Sequence, residues 1–551
     1  MQGDRGARRW ILALPVVLAA LVAVPGLRGG FVHDDVPQIV RNPLVQDLRF
    51  LPALWTTGVW AGAGSGSSWY RPLMTSSFAL DRALLGPEPA GFHATQLVLF
   101  ALGIALLVAL LRALGATPAL AAGAGVLAAA HPVQAEAVAW ISARGDLLAG
   151  AAGMAALLLH ERSLRGDAPR TGALRAGAGL AFFLALAAKE SAIAVAPAFL
   201  VLDRVRGAPL RPRALAARHA GWLAAGLLYA MLRRSALGGL SGGLAAPVEP
   251  LAWLAFLGQG VTRLLWPTGL TIAPPPPADA HAAAGALALA LLALGFATAW
   301  RRRSPLGVPL ALAGAGLAVA ALGAVRVGEL GDRYLLLPAC AGAWLAAAGV
   351  EALAARPRRV ARALLAGAAA VGAALAMHHV TVYADDGRLW QDAWARNPRA
   401  VRAPLNLAAW HLERGEPGEA LAWLERAEAL APGDPQIVLN RAVAAEQLGD
   451  PATARRLLAE LVERDAGAWP ARLRLAHLEL DAGRTEAAAA HYEAVVRVHP
   501  LAAEAWAGLG VARHRQGRDP EAAAALDRAL ALDPAVQNAA ALRQLRSRIA
   551  P

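Results

Sequence analysis

Two different hydrophobic patterns divide the chain near residue 380. Before that point, long apolar stretches recur and are separated by short loops rich in arginine. Since a helix needs about 20 apolar residues to cross a bilayer, residues 1–380 are predicted to form a multi-pass helical membrane domain. The pattern predicts about eleven spans, at residues 10–27, 92–114, 117–131, 146–160, 176–190, 192–202, 220–233, 281–299, 305–324, 334–350 and 362–379.

The arginine-rich loops predict how these spans are oriented. Because basic loops stay in the cytoplasm, we place the N-terminus inside and everything after residue 380 outside. The apolar segment 251–266 is interpreted as re-entrant or interfacial, since counting it as a span would put Arg301, Arg302 and Arg303 on the outer side. The first run lacks a clear small-x-small cleavage site and is interpreted as an uncleaved span. The basic loops are residues 1–9, 161–175, 203–218, 301–303 and 356–362.

After about residue 385 the pattern becomes amphipathic and repeats every 34 residues. Glycine, alanine and bulky apolar positions all keep this period, which is typical of tetratricopeptide (TPR) repeats. Small residues lie where the two helices of a repeat cross, and glycine forms the turn between them. We predict four repeats over residues 401–534, after a degenerate half repeat or linker at 385–400 and before a C-terminal helix at 535–551. The periodic residues are Gly415, Gly449, Gly483 and Gly517; Ala420, Ala454, Ala488 and Ala522; and Leu424, Leu458, Tyr492 and Leu526.

Composition and charge agree with this all-α reading, a membrane bundle followed by a TPR α-solenoid. The chain is 57% hydrophobic with a mean hydropathy of +0.42. Its net charge of +13 falls in the loops between spans, where it indicates topology and not nucleic-acid binding. The one cysteine, Cys340, excludes an intrachain disulfide. Lys189 is the one lysine among many arginines, which hints that an ammonium group is needed there.

Candidate chemistry is concentrated in the segment 31–73, directly after the first span. It contains the adjacent carboxylates Asp34 and Asp35 beside His33, and the cation Arg71 within Tyr70-Arg71-Pro72-Leu73. Two carboxylates at a membrane surface are costly unless they meet water, a cation or a reacting group. The alternative is a solvated loop in which the two aspartates only precede a helix.

Further polar residues are predicted at the outer ends of spans or in outer loops. Each alone is more often a structural ion pair than a catalytic group, but their gathering on one side indicates a site. Beyond those of the first loop, they are His93, His131, Glu136, Arg144, Asp146, Lys189, Glu190, Glu329, Asp332 and Arg333.

The order of these motifs resembles the transmembrane and TPR-containing protein O-mannosyltransferases, a branch of the GT-C glycosyltransferases. The resemblance covers nearly the whole chain, although that family often has an aromatic residue at the position of His33. It implies a GT-C bundle whose first outer loop, residues 28–91, holds two membrane-surface helices. The motifs are Val32-His33-Asp34-Asp35, Arg41-Asn42-Pro43, Tyr70-Arg71-Pro72-Leu73, Gly91-Phe92-His93, His131-Pro132-Val133, Glu136-Ala137-Val138, Arg144-Gly145-Asp146, Ala188-Lys189-Glu190-Ser191 and Asp332-Arg333-Tyr334-Leu335.

The resemblance also implies the chemistry. A sugar, mannose in the family, would pass from a polyprenyl-phosphate donor to Ser or Thr hydroxyls of exported proteins. We expect Asp34 to act as the base, with Asp35 supporting it. Arg71 and Arg333, with Tyr70, are expected to bind the donor phosphate, since guanidinium groups suit phosphate by charge and geometry. His33, His93, His131, Glu136, Arg144, Asp146, Lys189, Glu190 and Asp332 are expected to line the cavity.

Partners and location follow from the same resemblance. We expect no cofactor and no metal, because two carboxylates and one imidazole supply few ligands. The TPR groove would hold a protein or peptide acceptor on the outer side of a bacterial inner membrane, with no nucleic-acid partner. The alternatives are a non-catalytic membrane scaffold that assembles surface polymer or a secretion complex, and a GT-C enzyme that modifies lipid or glycan.

Overall fold

All regular elements that the structure describes are helices. The computed structural model describes residues 2–64, 68–165, 170–239, 248–465, 467–534 and 536–549, with side chains from residue 10 onward. Residues 166–169 of the predicted basic loop, and the side chains of the predicted basic segment 1–9, lie outside this description. The described chain divides into two compact units. One comprises Met1–Val36, Leu48–Val59 and Ser67–Asp392, and the other comprises Pro37–Asp47, Trp60–Gly66 and Ala393–Pro551.

The first unit is a bundle of long apolar helices joined by short 3-10 turns. Prolines open many of them, because proline fits the first turn of a helix, where its missing N–H is not needed. The helices are α1 Gln2–Ala23, α2 Leu51–Leu54, α3 Pro72–Leu85, α4 Pro89–Ala113, α5 Pro118–Ala130, α6 Gln134–Ala139, α7 Arg144–Ser163, α8 Thr171–Ala188, α9 Ala196–Val205, α10 Pro212–Leu237, α11 Pro250–Leu265, α12 Asp279–Arg301, α13 Gly307–Val327, α14 Leu336–Glu351 and α15 Ala355–Val382.

Eight helical segments among the described residues are long and apolar enough to cross a membrane. The predicted multi-pass architecture is therefore confirmed. Three further predicted spans coincide with α5, α9 and α10. With 13 and 10 residues, α5 and α9 are shorter than the thickness of a bilayer core. Helix α10 is long but carries several arginines. The segment predicted to be re-entrant or interfacial forms the 16-residue helix α11.

Helix α7 connects two chemically different ends of the bundle. It has 20 residues and therefore measures about 30 Å. Its first turn contains Asp146, which contacts Lys189. Its last turn contains the buried Glu161, which pairs with Arg165 and Arg206 of the arginine-rich loops. Two of the acid-base residues predicted to gather on one side, Asp146 and Lys189, therefore lie at the end of α7 away from these arginines.

Helices α11 and α12 cross so closely that their backbones touch through glycines. A Cβ atom on Gly258 would lie 1.9 Å from the carbonyl oxygen of His281, and one on Gly285 would lie 2.0 Å from that of Leu254. Both neighbours are backbone atoms, which cannot rotate away as a side chain can. Only glycine therefore permits this crossing of α11 and α12.

We expect Gly258→Ala to destabilise the purified protein by about 1–3 kcal/mol or more, because the two helices must separate to admit the methyl group. Thermal unfolding in detergent measures the effect as a lower Tm. Gly226→Ala on α10 is the matched control, since a Cβ there meets nothing within 4 Å and alanine favours the helix. Equal Tm values for the two variants would show that α11 and α12 are not in close contact.

The repeat unit consists of antiparallel helix pairs in the predicted phase. The four turn glycines have positive φ, from +72° to +79°, a conformation that glycine adopts without strain. The four periodic alanines and the four bulky residues are fully buried, so the predicted TPR architecture is confirmed. Its helices are α17 Arg402–Glu413, α18 Pro417–Leu430, α19 Pro435–Gln447, α20 Pro451–Arg464, α21 Trp469–Asp481, α22 Thr485–Val498, α23 Ala503–Arg515, α24 Asp519–Leu532 and α25 Ala539–Ile549. The preceding helix, α16 Asp386–Arg396, begins in the first unit, which extends to Asp392.

Candidate active site

A cavity of about 300 Å³ lies within the membrane unit and has walls of two kinds. One part is apolar and is formed largely by α13, α14 and the turn after α8. The other part carries five basic and two acidic side chains. Such a cavity fits an amphiphile with an anionic head and an apolar chain. The charged lining residues are Arg71, Asp146, Lys189, Glu190, Arg233, Arg326 and Arg333.

Arg71 is the residue directly before α3, and its side chain lines the cavity and pairs with Glu190. Its Nη2 and Nε donate to the two carboxylate oxygens at 2.7 and 3.2 Å, and its guanidinium lies 4.9 Å from the ring of Trp69. Burial raises the pKa of Glu190, but the charge and hydrogen bonds of Arg71 have the larger combined effect and lower the pKa of Glu190 to about 2. Glu190 is therefore ionised at neutral pH, and Arg71 is held with its planar group at the cavity wall.

Lys189 lies next to this pair and contacts Asp146 at the start of α7. Its Nζ donates to both carboxylate oxygens, at 2.7 and 2.6 Å, and lies 4.5 Å from the ring of Tyr334. Burial lowers the pKa of Lys189 to about 8, although Asp146 opposes the shift. The cavity therefore contains one cation whose charge can be lost at mildly alkaline pH.

Arg333 supplies a third cation and joins the cavity to the Asp34 loop. Its guanidinium and its backbone N–H both donate to Glu136. The guanidinium also lies 4.7 Å from the ring of Trp140 and 4.6 Å from that of Tyr334. The neighbouring Asp332 is buried and does not line the cavity, because it accepts a hydrogen bond of 2.6 Å from Arg263.

The two adjacent aspartates have different surroundings. Asp35 is fully buried and accepts three hydrogen bonds: from Val32 N at 3.1 Å, and from Ser142 N and Oγ at 2.7 and 2.6 Å. Burial raises the pKa of Asp35 to about 7, against these hydrogen bonds. Its carboxylate thus fixes the loop to the start of the 3-10 turn before α7, and three donors already occupy its oxygens.

Asp34 remains partly open, with 26% of its side chain exposed. Its Oδ1 lies 3.3 Å from Nε2 of His33. The His33 ring in turn contacts the rings of Trp140 and Trp390, at centroid distances of 5.6 and 5.1 Å, and its backbone N–H donates to Asp386. Of the two aspartates, Asp34 is therefore the one that a substrate can reach.

Arg144 and Tyr70, which were predicted to contact the cavity or the donor, contact the scaffold instead. Arg144 is fully buried and pairs with Asp81 at 2.6 Å, and it also donates to Gln96 and to the carbonyl of Phe92. The hydroxyl of Tyr70 donates to the carbonyl of Trp55 at 2.7 Å. These contacts hold α3, α4 and α7 together around the site.

Two predicted histidines also lie away from the cavity lining. His131 contacts the carbonyl of Leu264 at 3.0 Å through Nε2, and His93 lies 3.4 Å from the carbonyl of Gly30. Of the fourteen site residues predicted from sequence, the cavity brings together Arg71, Asp146, Lys189, Glu190 and Arg333. Glu136, His33 and Asp34 are connected to it through Arg333 and Trp140.

Five charged or aromatic residues of the cavity wall were not predicted. Trp69 and Tyr334 directly flank predicted residues, so their position in the sequence was an available signal. Tyr229 and Arg233 lie four residues apart on one face of α10, a polar pair in an otherwise apolar stretch. Arg326 lies in the last turn of α13. In none of these five cases does the sequence show which distant helix the side chain will face.

A second polar cluster lies at the opposite end of the bundle. Nε2 of His160 is 3.0 Å from Asp203, and Nε2 of His219 is 2.8 Å from it. The three residues are of types that ligate metals, yet Arg218 also donates to Asp203 at 3.1 Å and balances its charge. The indole N–H of Trp222 donates to Nδ1 of His219, so the ring proton of His219 lies on the side of Asp203. This cluster fits a hydrogen-bonded contact between helices, and the expectation of no metal at the Asp34 loop stays a prediction.

The lowered pKa of Lys189 makes a pH dependence testable. As pH rises through about 8, Lys189 loses its proton and the cavity loses one positive charge. We expect the affinity for an anionic lipid such as a polyprenyl phosphate to fall about three- to tenfold between pH 7 and 9. Lys189→Arg, which stays charged, should remove most of that fall. Binding measured by fluorescence quenching tests this, and an equal fall in both proteins would exclude Lys189 as its source.

Comparison with known proteins supports the repeat assignment. A family model for the tetratricopeptide repeat matches residues 387–435 and 473–536. Two solved structures are also similar to part of the chain. A crystal structure of MamA is 19% identical and covers 27% of this chain and 80% of its own, with a TM-score of 0.23. The structure of YrrB is 19% identical and covers 28% and 80%, with a TM-score of 0.24.

Curated relatives match by sequence. The mouse protein O-mannosyl-transferase TMTC1 is 39% identical over 184 residues, which are 30% of this chain and 19% of that protein. Its human counterpart is 36% identical over 178 residues, or 29% and 20%. Protein O-mannosyl-transferase Tmtc2 of Drosophila melanogaster is 35% identical over 201 residues, or 34% and 21%. The matches span about a fifth of these relatives' length, and they confirm the resemblance that the motifs predict.

Proposed function

We propose that this membrane protein is a glycosyltransferase that moves a sugar, mannose by similarity to its relatives, from a polyprenyl-phosphate donor to Ser or Thr hydroxyls of a protein. One observation carries the proposal: an apolar-walled cavity with an excess of basic side chains is connected to a partly exposed carboxylate. The chain that contains it is similar in sequence to proteins named protein O-mannosyl-transferases.

The two parts of the cavity wall, apolar and basic, are the basis for assigning the cavity to the sugar donor. The phosphate lies against Arg71, Lys189 and Arg333, which neutralise the charge that it gains as the leaving group. The polyprenyl chain lies along the apolar wall, which includes Ile193 and Val319. Each of the three cations is already paired with a carboxylate of the chain, so they are positioned before the donor binds.

The chemical step uses Asp34 as the base. The acceptor hydroxyl attacks the anomeric carbon, the bond from that carbon to the phosphate oxygen breaks, and the configuration inverts. The hydroxyl proton passes to the Asp34 carboxylate, and the electron pair leaves with the polyprenyl phosphate. Asp34 suits this role because its side chain is partly exposed, whereas the oxygens of Asp35 are occupied by three donors.

The repeat unit is assigned to acceptor binding. TPR arrays stack helix pairs into a superhelix with a concave surface that commonly takes up an extended peptide. The four pairs α17–α24 form such an array, and clusters of buried apolar residues occur along its whole length. A protein acceptor therefore fits this chain better than a lipid or glycan acceptor.

The proposed orientation places the arginine-rich ends in the cytoplasm and the Asp34 loop outside. The backbone N–H of Gly30, after α1, donates to the carbonyl of Ala384, after α15, so these two helices end side by side. Arg358 and Arg359 lie near the start of α15, at its far end. The positive-inside rule then places that end in the cytoplasm and the segment after residue 384 outside.

Cysteine labelling tests this orientation. In a background with the buried Cys340 replaced by alanine, a membrane-impermeant maleimide applied to intact spheroplasts should label Glu460→Cys almost completely. Arg302→Cys, in the exposed turn after α12, should react only after permeabilisation. The reverse result would place the Asp34 loop in the cytoplasm and contradict an exported acceptor.

A transfer assay tests the function itself. Purified protein in nanodiscs is given a radiolabelled polyprenyl-phosphate mannose and a peptide rich in Ser and Thr, and mass spectrometry locates the added hexose. We expect one hexose on Ser or Thr and release of the polyprenyl phosphate. Transfer to a lipid or glycan and not to peptide would support a different acceptor class. Donor binding without any transfer would support a scaffold.

A further inference from the structure

The residue before Asp34 has an unusual backbone conformation. His33 has φ of +50°, a region that residues other than glycine seldom adopt, although histidine is among those found there more often. Such conformations persist where the surrounding contacts fix them, and they gather at functional sites. In this case the conformation lets the imidazole fold back toward the carboxylate of the next residue.

The contacts of His33 show what fixes it. Its backbone N–H donates to Asp386 Oδ1 at 2.9 Å. Its ring lies edge-on to Trp390 and tilted against Trp140. Trp140 carries the guanidinium of Arg333 on its ring, and Arg333 lines the cavity. The imidazole therefore lies in an aromatic setting that extends from the cavity to Asp34.

Nε2 of His33 lies 3.3 Å from Asp34 Oδ1. This is a close contact and not a formed hydrogen bond. For the ring to donate to the carboxylate, which can only accept, the nitrogen on this side carries the proton. Catalytic hydrogen bonds often form or tighten only when substrate is bound. A rigid donor at this place would select one rotamer of Asp34.

We propose that His33 is a positioning residue for the transfer reaction: its ring N–H, held by Trp140 and Trp390, fixes the Asp34 carboxylate in the orientation in which it accepts the acceptor proton. This inference rests on the proposed function.

Two variants separate hydrogen-bond donation by the His33 ring from its packing between the tryptophans. His33→Gly keeps a backbone that tolerates positive φ and leaves a space the size of the imidazole. His33→Phe keeps a ring between the two tryptophans but removes the donor. We expect both to lower kcat about 10²-fold, with the donor KM within twofold of wild type, because a misplaced base slows the chemical step.

Chemical rescue is the decisive readout. Added imidazole should restore the rate of His33→Gly about tenfold or more, and it should leave His33→Phe, Asp34→Asn and the wild type unchanged. Wild-type kcat in His33→Phe, or a folded His33→Gly protein that imidazole does not restore, would overturn the positioning role. A wild-type protein that transfers no sugar would instead overturn the proposed function. The rates of the wild type and of the variants thus distinguish the two failures.

Discussion

Replacing Asp34 with asparagine is expected to reduce sugar transfer by about 10²- to 10⁴-fold, the loss typical of a removed general base. Asparagine keeps the size of the side chain and one acceptor oxygen, but it cannot take up the hydroxyl proton. The fold should survive, because 26% of the side chain is exposed and the oxygen of asparagine can still face His33. Single-turnover transfer with purified protein measures the effect, and donor binding should stay near wild type.

Asp35 provides the comparison for this experiment. The carboxylate of Asp35 accepts three hydrogen bonds. The amide of an asparagine at this position would have one acceptor oxygen, and its NH₂ group would face one of the hydrogen-bond donors. Asp35→Asn should therefore lower the Tm as well as the rate, whereas Asp34→Asn should lower the rate alone. Near wild-type transfer by Asp34→Asn would remove Asp34 as the base. Unchanged transfer by the double variant Asp34→Asn, Asp35→Asn would exclude both aspartates from catalysis and favour the alternative of a non-catalytic membrane scaffold.

The repeat half could be predicted from sequence almost residue by residue. A TPR unit is a local structure, in which a glycine with positive φ, such as Gly449, and a buried alanine, such as Ala454, lie five residues apart in each repeat. The period therefore fixes which residues are buried without knowledge of any distant contact. The membrane half differs in this respect. Its spans are visible in the sequence, but the sequence does not show which of these helices pack against one another.

The candidate site shows where local pattern is insufficient. The sequence places Asp34 and Asp35 side by side, and apart from the family resemblance it offers no reason to treat them differently. The structure separates them through Ser142, which lies 107 positions further along the chain. Arg144 was expected at the cavity, but it pairs with Asp81 from another helix. In each case a long-range polar contact decides the role, and hydrophobic periodicity contains no information about such contacts.

Arg71 is the second position where a large effect is expected. Arg71→Ala should weaken binding of a polyprenyl phosphate about 10- to 100-fold, the range that corresponds to one hydrogen bond to a charged group. Arg71→Lys should recover only part of this, because lysine keeps the charge but lacks the planar fork that binds two oxygens at once. Binding is measured by fluorescence quenching at fixed ionic strength, since exposed charges are screened by salt.

The partner of Arg71 must be considered in the same experiment. Removing the arginine alone leaves the carboxylate of Glu190 in the cavity without its guanidinium, and such a loss can destabilise the fold by itself. The double variant Arg71→Ala, Glu190→Gln removes both charges and keeps the cavity neutral at this point. We expect it to fold with a Tm near wild type and still to bind the donor weakly. Arg302→Ala, at the exposed turn after α12, serves as a matched loss of one arginine and should leave binding unchanged. Wild-type affinity in the folded double variant would mean that the phosphate binds elsewhere, and the assignment of this cavity to the donor would be wrong.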